Sequence, residues 1–549
     1  AEIGEMTSVT QLARNEIRNQ LESIRKEWFY WRHVVEIEKA TLNALNLLSF
    51  DIKRRSVFKV EGWVPVSKVA ALRTALDEAT KQAGRATQTI MKIVETSETP
   101  PTYLPVNKFT AAFQGLVDTY GIPRYREVNP GCFAIVWFPF LFAIMFGDIG
   151  HGSLLLMLAL YLIRNEAKMS KMELDDIVGM IFGGRYILLM NALFAIYVGF
   201  LYNEMFAVPL GLFTSGWRGY PGIPDQGPTY PFGVDPAWHL AANKMTFFNS
   251  YKMKVAIVFG VIQMTIGITL QLVNHITFKD ARSIWFGLVP ELVFFLSIFG
   301  YLVVMILTKW SIDWVGLELR PPSLLNTLID MFMAPGKYNP TADRLFSGQE
   351  NLQVGLLLIA LVAVPFLLIP KPLLHFLDMR RRYQTLRQLP DTQAGLDMPM
   401  ARAEEGGEEE EGDEEEGDEE HDIGEVVVHQ VIHTIEFVLG SISNTASYLR
   451  LWALSLAHSQ LSELFWGKVM VEQALTSSLP FPFNAIILFL GFTVWFVLHL
   501  CVIMVMENLS SFLHALRLQW VEFQNKFYHG DGRKFSPFSF SRIYEGKED

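Results

Sequence analysis

Half of the 549 residues are hydrophobic and only 19% are charged, below the quarter that is usual in soluble domains. This composition indicates a membrane protein and argues against a wholly soluble one. The net charge of −11 comes from one short segment, because 14 carboxylates lie between Glu404 and Asp422. The rest of the chain contains 46 basic and 43 acidic residues and is therefore nearly neutral. So dense an acidic run is typical of a solvated linker. The two cysteines, Cys132 and Cys501, lie in apolar runs and predict no disulfide framework.

Residues 1–130 are predicted to form a water-facing domain fragment. From about Thr7 to Leu48, apolar residues recur at steps of three and four in a charged background, which predicts an amphipathic or coiled-coil arm. The pattern then predicts a strand at 57–65, a helix at 67–84 that ends at Gly84, and a second strand at 86–95. This unit has too little sheet to be stable alone. The sequence begins at Ala1 without a signal peptide, so we expect it to be a fragment of a longer protein.

The rest of the chain predicts a mainly α, polytopic membrane protein with eight transmembrane helices. Six uncharged runs reach or approach the ~20 residues of a membrane helix, at 132–147, 149–163, 186–203, 255–273, 292–308 and 351–370. Two proline-free stretches, 423–468 and 483–529, each predict one unbroken helix. About 45 residues span ~68 Å, over twice the hydrocarbon thickness, so these helices must be tilted or project beyond the bilayer.

Eight spans place both termini on one side of the membrane. Connections rich in Lys and Arg alternate along the chain with connections poor in them; the basic ones lie at 164–185, 279–282 and 380–387. Because basic connections tend to face the cytosol, this alternation predicts that both termini are cytosolic. We therefore divide the chain into a cytosolic domain fragment, a six-helix membrane region, an acidic cytosolic linker, two long tilted helices and a cytosolic tail. Their bounds are 1–130, 131–388, 389–422, 423–529 and 530–549.

Polar residues of the two long helices follow single faces. One face steps by three or four through Glu425, His429, His433, Glu436, Gly440, Ser443, Ser447 and Arg450, and His458 lies beside its continuation. The other comprises Glu507, Ser510, His514 and Arg517. These faces are expected to line water or to meet another protein rather than lipid.

Arg450 is the predicted functional centre, because a charge at bilayer depth costs from about 2.5 to over 10 kcal/mol. Single polar residues such as His429 or Ser443 can equally be hydrogen-bonding braces. A purely structural ion pair adds little stability compared with apolar packing. The two polar faces also contain two arginines, Arg450 and Arg517, but only one deep carboxylate, Glu507. The surplus positive charge calls for a carboxylate from another chain. We interpret the faces as a proton or ion path with a fixed cation, since Glu and His can exchange protons whereas Arg cannot.

Five motifs closely resemble subunit a of the eukaryotic vacuolar-type proton-translocating ATPase (V-ATPase), and the resemblance covers essentially the whole chain. They are EGWVP (61–65), DTYGIPRYREVNP (118–130), FGDIGHG (146–152), SYLRLWALSLAH (447–458) and ENLSSFLHALRLQWVEFQNKFY (507–528). By this resemblance, the sequence lacks the family's N-terminal half.

The resemblance implies a membrane stator of the Vo sector beside a rotating ring of proteolipid c subunits, each with one essential carboxylate. Arg450 matches the family's indispensable arginine and Arg517 its second one. His458, Glu507 and Glu436 match residues that influence proton transport, and Asp148 lies in the FGDIGHG motif. With Ser443, Ser447, Ser510 and His514, these residues form the predicted proton-translocation set. Glu436 is assigned to the cytosolic half-channel and His458 with Glu507 to the lumenal one.

The resemblance also implies partners and a location. Expected partners are the c-ring, Vo subunits d and e, peripheral-stalk subunits E and G, subunits C and H, and membrane lipid, with no nucleic acid. The location would be an acidic organelle such as the vacuole, endosome or Golgi. The sequence contains no GxxxxGK[ST] phosphate loop, so we expect no enzymatic activity of its own, no cofactor and no metal.

Two alternative functions remain open. A secondary cation/proton antiporter also uses intramembrane Arg, Glu and His, but such proteins usually have broken helices in paired repeats. A non-conducting scaffold for cytosolic subunits would explain the N-terminal arm but not Arg450.

Overall fold

The computed structural model describes residues 2–46, 48–50, 58–84, 89–172, 175–216, 229–314, 316–337, 342–388, 423–475, 483–537 and 539. The predicted acidic linker lies outside them, as does most of the predicted C-terminal tail. Helices dominate the described residues. The chain divides into two compact units, one of Ala1–Pro105 with Gly532–Asp549 and one of Val106–Asp531.

The first unit contains the predicted helical arm and a small remnant of the predicted sheet. Helix α1 spans Glu2–Asn46 and exposes most of its apolar side chains. Two short antiparallel strands, β1 (Ser49–Phe50) and β2 (Phe58–Lys59), precede helix α2 (Val69–Gln82). The chain leaves α2 at Gly84, whose φ of +62° is a left-handed conformation that glycine adopts without strain.

The helix prediction at 67–84 is thus confirmed, whereas both strand predictions need correction. The strand expected at 57–65 is reduced to β2. The strand expected at 86–95 is wrong, since its described part, residues 89–95, is irregular. The physical reason is that, within the described residues, neither stretch lies beside a long strand that could satisfy its backbone groups.

The second unit is helical. Its helices are α3 (Lys108–Asp118), α4 (Gly131–Met145), α5 (Ile149–Arg164), α6 (Glu166–Met169), α7 (Asp176–Gly183), α8 (Arg185–Tyr202), α9 (Lys244–Thr277), α10 (Ala281–Ser311), α11 (Leu324–Met333), α12 (Gln349–Leu368), α13 (Pro370–Gln388), α14 (Gly424–Glu472) and α15 (Phe483–Lys526). Six segments in the described part of the chain are long and apolar enough to cross a membrane: α8, α9, α10, α12 continued into α13, α14 and α15.

The polytopic, mainly α fold is therefore confirmed, but two of the eight predicted spans are short. Helices α4 and α5 form where predicted, with only 15 and 16 residues. The chain breaks between them at residues 146–148, because Asp148 is extended and its carboxylate caps the first amides of α5.

The last two helices are nearly continuous, as predicted, with 49 residues in α14 and 44 in α15. A turn at Tyr448 interrupts α14. Helix α15 contains two π-helical stretches, His499–Glu507 and Leu518–Phe523. Such widened turns are frequent at functional sites, and these two adjoin the predicted site residues Glu507 and Arg517.

Helix α9 fixes the middle of α14. A Cβ atom at Gly260 would lie only 2.5 Å from the Tyr448 ring, so glycine permits the two helices to approach. The fully buried Tyr448 belongs to the main core together with Phe138, Met264 and Leu518. Residue Arg450 therefore emerges from a closely packed part of the molecule.

The end of α15 is held by the segment that precedes α4. Tyr528 Oη donates a hydrogen bond to the Gly121 carbonyl at 2.6 Å, and Asp531 forms an ion pair with Arg124. Asn274 of α9 donates to the Phe527 carbonyl at 2.8 Å. These contacts fix the C-terminal end of the helix that carries Arg517.

Candidate functional site

The guanidinium of Arg450 forms no ion pair with the described residues. Its Nη1 atom is buried and has no hydrogen-bond partner there, although the side chain as a whole is partly exposed. The buried carboxylate of Glu522 lies close enough to interact electrostatically with both Arg450 and Arg517, without forming an ion pair with either. A positive charge thus stays incompletely neutralised at the centre of α14.

A buried hydrogen-bond chain lies beside the two arginines. Tyr448 Oη donates to Gln263 Oε1 at 2.8 Å, and Gln263 Nε2 donates to Gln519 Oε1 at 3.1 Å. All three side chains are fully buried. Tyr448 lies two residues before Arg450 and Gln519 two residues after Arg517, so this chain joins α14, α9 and α15 at the level of both cations.

The remaining predicted residues of α15 differ in environment. Arg517 is exposed. His514 is partly buried, and its Nδ1 atom lies 2.7 Å from the Ser510 carbonyl and 3.4 Å from the Ser510 hydroxyl. The structure thus brings His514 and Ser510 together and places Arg517 on an accessible surface.

Three predicted residues, Asp148, His458 and Glu507, meet in one buried group. His458 Nδ1 lies 3.0 Å from Glu507 Oε2. Asp148 accepts hydrogen bonds from the Gly150 amide at 2.7 Å and the Phe206 amide at 3.1 Å. His458 and Asp148 are 2% and 1% exposed, so this group is removed from bulk water.

Two further histidines complete this group, and the sequence analysis missed both. His151 Nδ1 lies 3.4 Å from Asp148 Oδ2, and His151 Nε2 lies 2.8 Å from His499 Nδ1. Both rings are buried and stacked. His151 is part of the quoted FGDIGHG motif, and His499 precedes Glu507 by eight residues on the same helix, so spacing could have indicated both. We call Asp148, His151, His458, His499 and Glu507 the histidine cluster.

A second missed feature is a pair of buried opposite charges beside the histidine cluster. Lys252 Nζ of α9 donates to Ser459 Oγ at 2.7 Å, and Ser459 Oγ donates to Glu204 Oε2 at 3.1 Å. Lys252 also lies over the Tyr202 ring at 4.7 Å. Lys252 and Glu204 are 2% and 4% exposed, and the hydroxyl of Ser459 connects them.

Toward the start of α14, two of the predicted residues lie on the exposed surface of the helix. Glu436 and Ser443 are exposed, and Ser447 Oγ donates to the carbonyl of Ser443 at 3.0 Å. The buried acid at this end is Glu291 of α10, which the sequence analysis missed; its Oε1 lies 3.8 Å from His433 Nε2.

Polar groups therefore occur on both sides of Arg450 along α14. His433 with Glu291 lies about 25 Å before it, and His458 with Glu507 about 12 Å after it, at 1.5 Å per residue. Carboxylates and imidazoles can exchange protons, whereas a guanidinium stays charged. Among the described residues, polar atoms of Asp148, His151 and His458 also lie within 4.8 Å of one another.

Comparison with known proteins agrees with this picture. A sequence profile of the V-type ATPase 116kDa subunit family matches residues 1–540. The chain is 42% identical over 98% of its length to the vacuolar proton translocating ATPase 100 kDa subunit of Dictyostelium discoideum. It is 43% identical over 98% of its length to V-type proton ATPase subunit a of Schizosaccharomyces pombe, and 40% identical over 100% to V-type proton ATPase 116 kDa subunit a 1 of Mus musculus.

The chain covers 65%, 64% and 68% of these three relatives, respectively, and thus spans about two thirds of their length. The resemblance inferred from the five motifs is confirmed. The profile matches nearly all residues of the chain, which shows that the chain belongs to the V-type ATPase 116kDa subunit family.

Proposed function

We propose that this chain is the stator subunit a in the Vo sector of a rotary V-type proton ATPase. In this role it provides two proton half-channels and an essential arginine beside a rotating ring of proteolipid c subunits. The names of its relatives and its membrane-spanning helices support the proposal.

The single observation that carries the mechanism is the incompletely neutralised guanidinium of Arg450. A cation in a membrane helix needs a counter-charge or a function. A ring carboxylate that arrives from a neighbouring subunit would supply the counter-charge transiently. The guanidinium favours the anionic form of that carboxylate and so promotes release of its proton.

Protons would then move along two paths that do not meet. The cytosolic path would run along α14 past Glu436, Ser443 and Ser447, with Glu291 and His433 beside it. The lumenal path would include His458, Glu507 and Asp148, with Ser510, His514 and Arg517 lining α15 near the ring. Between the paths, Arg450 blocks direct leakage, because a fixed cation repels protons.

The neutral ring carboxyl crosses the lipid at far lower cost than its anion. Rotation driven by ATP hydrolysis on other subunits would carry it from one path to the other. This scheme assigns the chain no catalytic chemistry and no cofactor of its own.

The remaining assignments are part of the same proposal. The chain would lie in the membrane of an acidic organelle, with both termini in the cytosol. It would contact the c-ring and subunits d and e within the membrane sector, and subunits E, G, C and H through its cytosolic part.

The test is the Arg450→Ala substitution in the assembled complex. We expect ATP-driven acidification of proteoliposomes, followed with a pH-sensitive dye, to be abolished while the complex still assembles. Arg450→Lys should also fail or nearly fail, since Lys lacks the planar fork and can lose its proton when buried.

The exposed Arg164 provides the matched control, and Arg164→Ala should pump normally. Pumping by Arg450→Ala would overturn the proposal. Cation-coupled proton exchange by the purified chain without a ring would instead support a secondary antiporter.

A further inference from the structure

Helix α11 (Leu324–Met333) exposes a row of large apolar side chains. Leu325, Ile329 and Phe332 are 67%, 48% and 48% exposed, and their spacing of three and four residues places them on one side of the helix. We propose that this side of α11 is inserted into one leaflet of the lipid bilayer, where it contacts phospholipid acyl chains. The proposal depends on the membrane fold and not on the proposed transport function.

A second side of α11 packs against the membrane-spanning helix that precedes it. Leu324 and Met331 are buried, and they belong to a core cluster that also contains Tyr301, Met305 and Ile306 of α10. These contacts attach α11 to the flank of a membrane helix. The row of Leu325, Ile329 and Phe332 lies beside this buried side and not within it.

The contacts with α10 determine the depth of α11. The 31 residues of α10 span ~46 Å, so a centred helix extends ~8 Å beyond each side of the ~30 Å hydrocarbon core. Ile306 lies about 8 Å before the end of α10 at Ser311. Closer to that end, Lys309 Nζ donates a hydrogen bond at 2.8 Å to the carbonyl of Pro322, just before α11. Helix α11 therefore lies at the boundary between headgroups and acyl chains.

The third side of α11 is polar. Asn326 is exposed, and Thr327 and Asp330 border a small pocket together with Arg344 and Glu350. The side chains of Arg344 and Glu350 form an ion pair at 2.9 Å. At 3.6 residues per turn, the centre of the polar side lies about 140° from the centre of the exposed apolar row. Apolar and polar sides that face nearly opposite directions are typical of helices that lie in a membrane surface.

Helix α10 itself presents apolar side chains to lipid near this end. Val304 and Leu307, on the last turns of this membrane-spanning helix, are exposed. Trp310 follows them and is also exposed, and tryptophan is enriched where a membrane meets water. Because α11 packs on this part of α10, lipid is the surrounding medium that its exposed apolar row meets.

The first test is photolabelling of the purified wild-type chain in phosphatidylcholine vesicles. A fraction of the lipid carries a photoactivatable group on an acyl chain, and mass spectrometry after illumination should find adducts on Leu325, Ile329 or Phe332. Leu12 of α1 is the matched control. It is 69% exposed, like Leu325, but lies in the part of the chain that is predicted to face water, and it should remain unlabelled.

Spin labels test which side of α11 faces lipid. In a chain with Cys132→Ser and Cys501→Ser, a nitroxide is attached through Ile329→Cys or Asn326→Cys. Oxygen concentrates in lipid, whereas a charge-neutral nickel chelate stays in water. The ratio of oxygen to nickel accessibility should be several-fold higher at position 329 than at position 326. Val304→Cys on α10 provides the reference for a lipid-facing site.

Photolabelling of the wild-type chain keeps the test decisive even if a cysteine variant fails to fold. Absence of adducts on α11 would overturn the proposal, and so would equal labelling of Leu12. Equal accessibility ratios at Ile329 and Asn326 would also overturn it. The spin-label measurement is repeated in the assembled complex, where the Ile329 label should remain accessible to oxygen. Shielding from both reagents there would mean that another subunit covers α11, which again would overturn the proposal. Because no pumping is measured, these outcomes are independent of the Arg450 test.

Discussion

Around His458, helix α14 lies within ion-pair distance of a carboxylate of its own chain, whereas Arg450, eight residues earlier, forms no ion pair with the described residues. Both regions contain charged or ionisable groups in a mainly apolar setting. Near His458, Asp148, Glu507, Glu204 and Lys252 provide charges of both signs. Near Arg450, the carboxylate of Glu522 interacts electrostatically with the guanidinium but forms no ion pair with the described residues.

This difference separates two uses of charge in a membrane protein. In the His458 region, groups of opposite charge from the same chain lie close together, so these groups should contribute to the stability of the isolated chain. The Arg450 region is firmly held on the side of α9, and its guanidinium forms no ion pair with the described residues. Its charge is therefore available to a carboxylate from another subunit. Substitutions in the two regions should accordingly affect stability and transport differently.

The largest effect on stability is expected for Lys252→Met. This change leaves the carboxylate of Glu204 buried without the ammonium that Ser459 connects to it. Removing one member of a buried charged pair is strongly destabilising, here by about 3 kcal/mol. Thermal unfolding of the detergent-purified chain, followed by tryptophan fluorescence, would measure the decrease.

Lys254→Met is the matched control, because Lys254 lies on the same helix and is only partly buried. The double variant Lys252→Met with Glu204→Gln should recover most of the loss. Arg450→Ala should unfold at nearly the wild-type temperature. If Lys252→Met and Arg450→Ala had equal effects, the distinction between the two regions would fail.

A smaller effect is expected for Tyr448→Phe, which tests the firmly held side of the Arg450 region. The substitution keeps the ring against Gly260 and removes the hydroxyl that donates to Gln263. Loss of one buried hydrogen bond should lower the unfolding free energy by about 1–2 kcal/mol. The same thermal assay would detect it.

Tyr161→Phe is the control, since Tyr161 is exposed and its substitution should change nothing. If Tyr448→Phe leaves stability unchanged, the chain from Tyr448 through Gln263 to Gln519 does not hold α9, α14 and α15 together. The axial positions of Arg450 and Arg517 would then have to be fixed by apolar packing alone.

The sequence was most informative where a physical constraint acts along the chain. The lengths of the apolar runs and the absence of proline predicted α14 and α15, and the cost of a buried charge identified Arg450 as special. The grouping of Asp148, His458 and Glu507 could not be predicted from spacing, since it depends on how three separate helices pack.

The same reason explains the missed residues. Lys252, Glu204 and Glu291 lie at the ends of apolar runs, where a sequence cannot distinguish a solvated charge from a buried one. The strand predicted at 86–95 failed because a β pattern forms a strand only beside a suitable neighbour.

The smallest effect is expected at the exposed ion pair that holds the end of α15. The Arg124 guanidinium, by hydrogen bonding and by its charge, lowers the pKa of the Asp531 carboxyl below its ordinary value of about 3.9. A carboxyl with a lowered pKa stabilises the fold above that ordinary value, and the contribution is lost as pH falls through the lowered pKa. Both side chains are about half exposed, so the contribution should be under about 1 kcal/mol.

The Asp531→Asn variant should therefore unfold slightly below the wild type at pH 7, and the difference should vanish as the pH falls through the lowered pKa of Asp531. High salt should reduce the difference at pH 7, because 1 M salt shortens the screening length to about 3 Å. The Arg124→Gln variant should behave in the same way, and the double variant should add little. A difference that persists at low pH would mean that the Asp531 side chain stabilises the end of α15 through hydrogen bonding and packing rather than through its charge. This contact would then resemble the packed regions of the molecule and not the electrostatic ones.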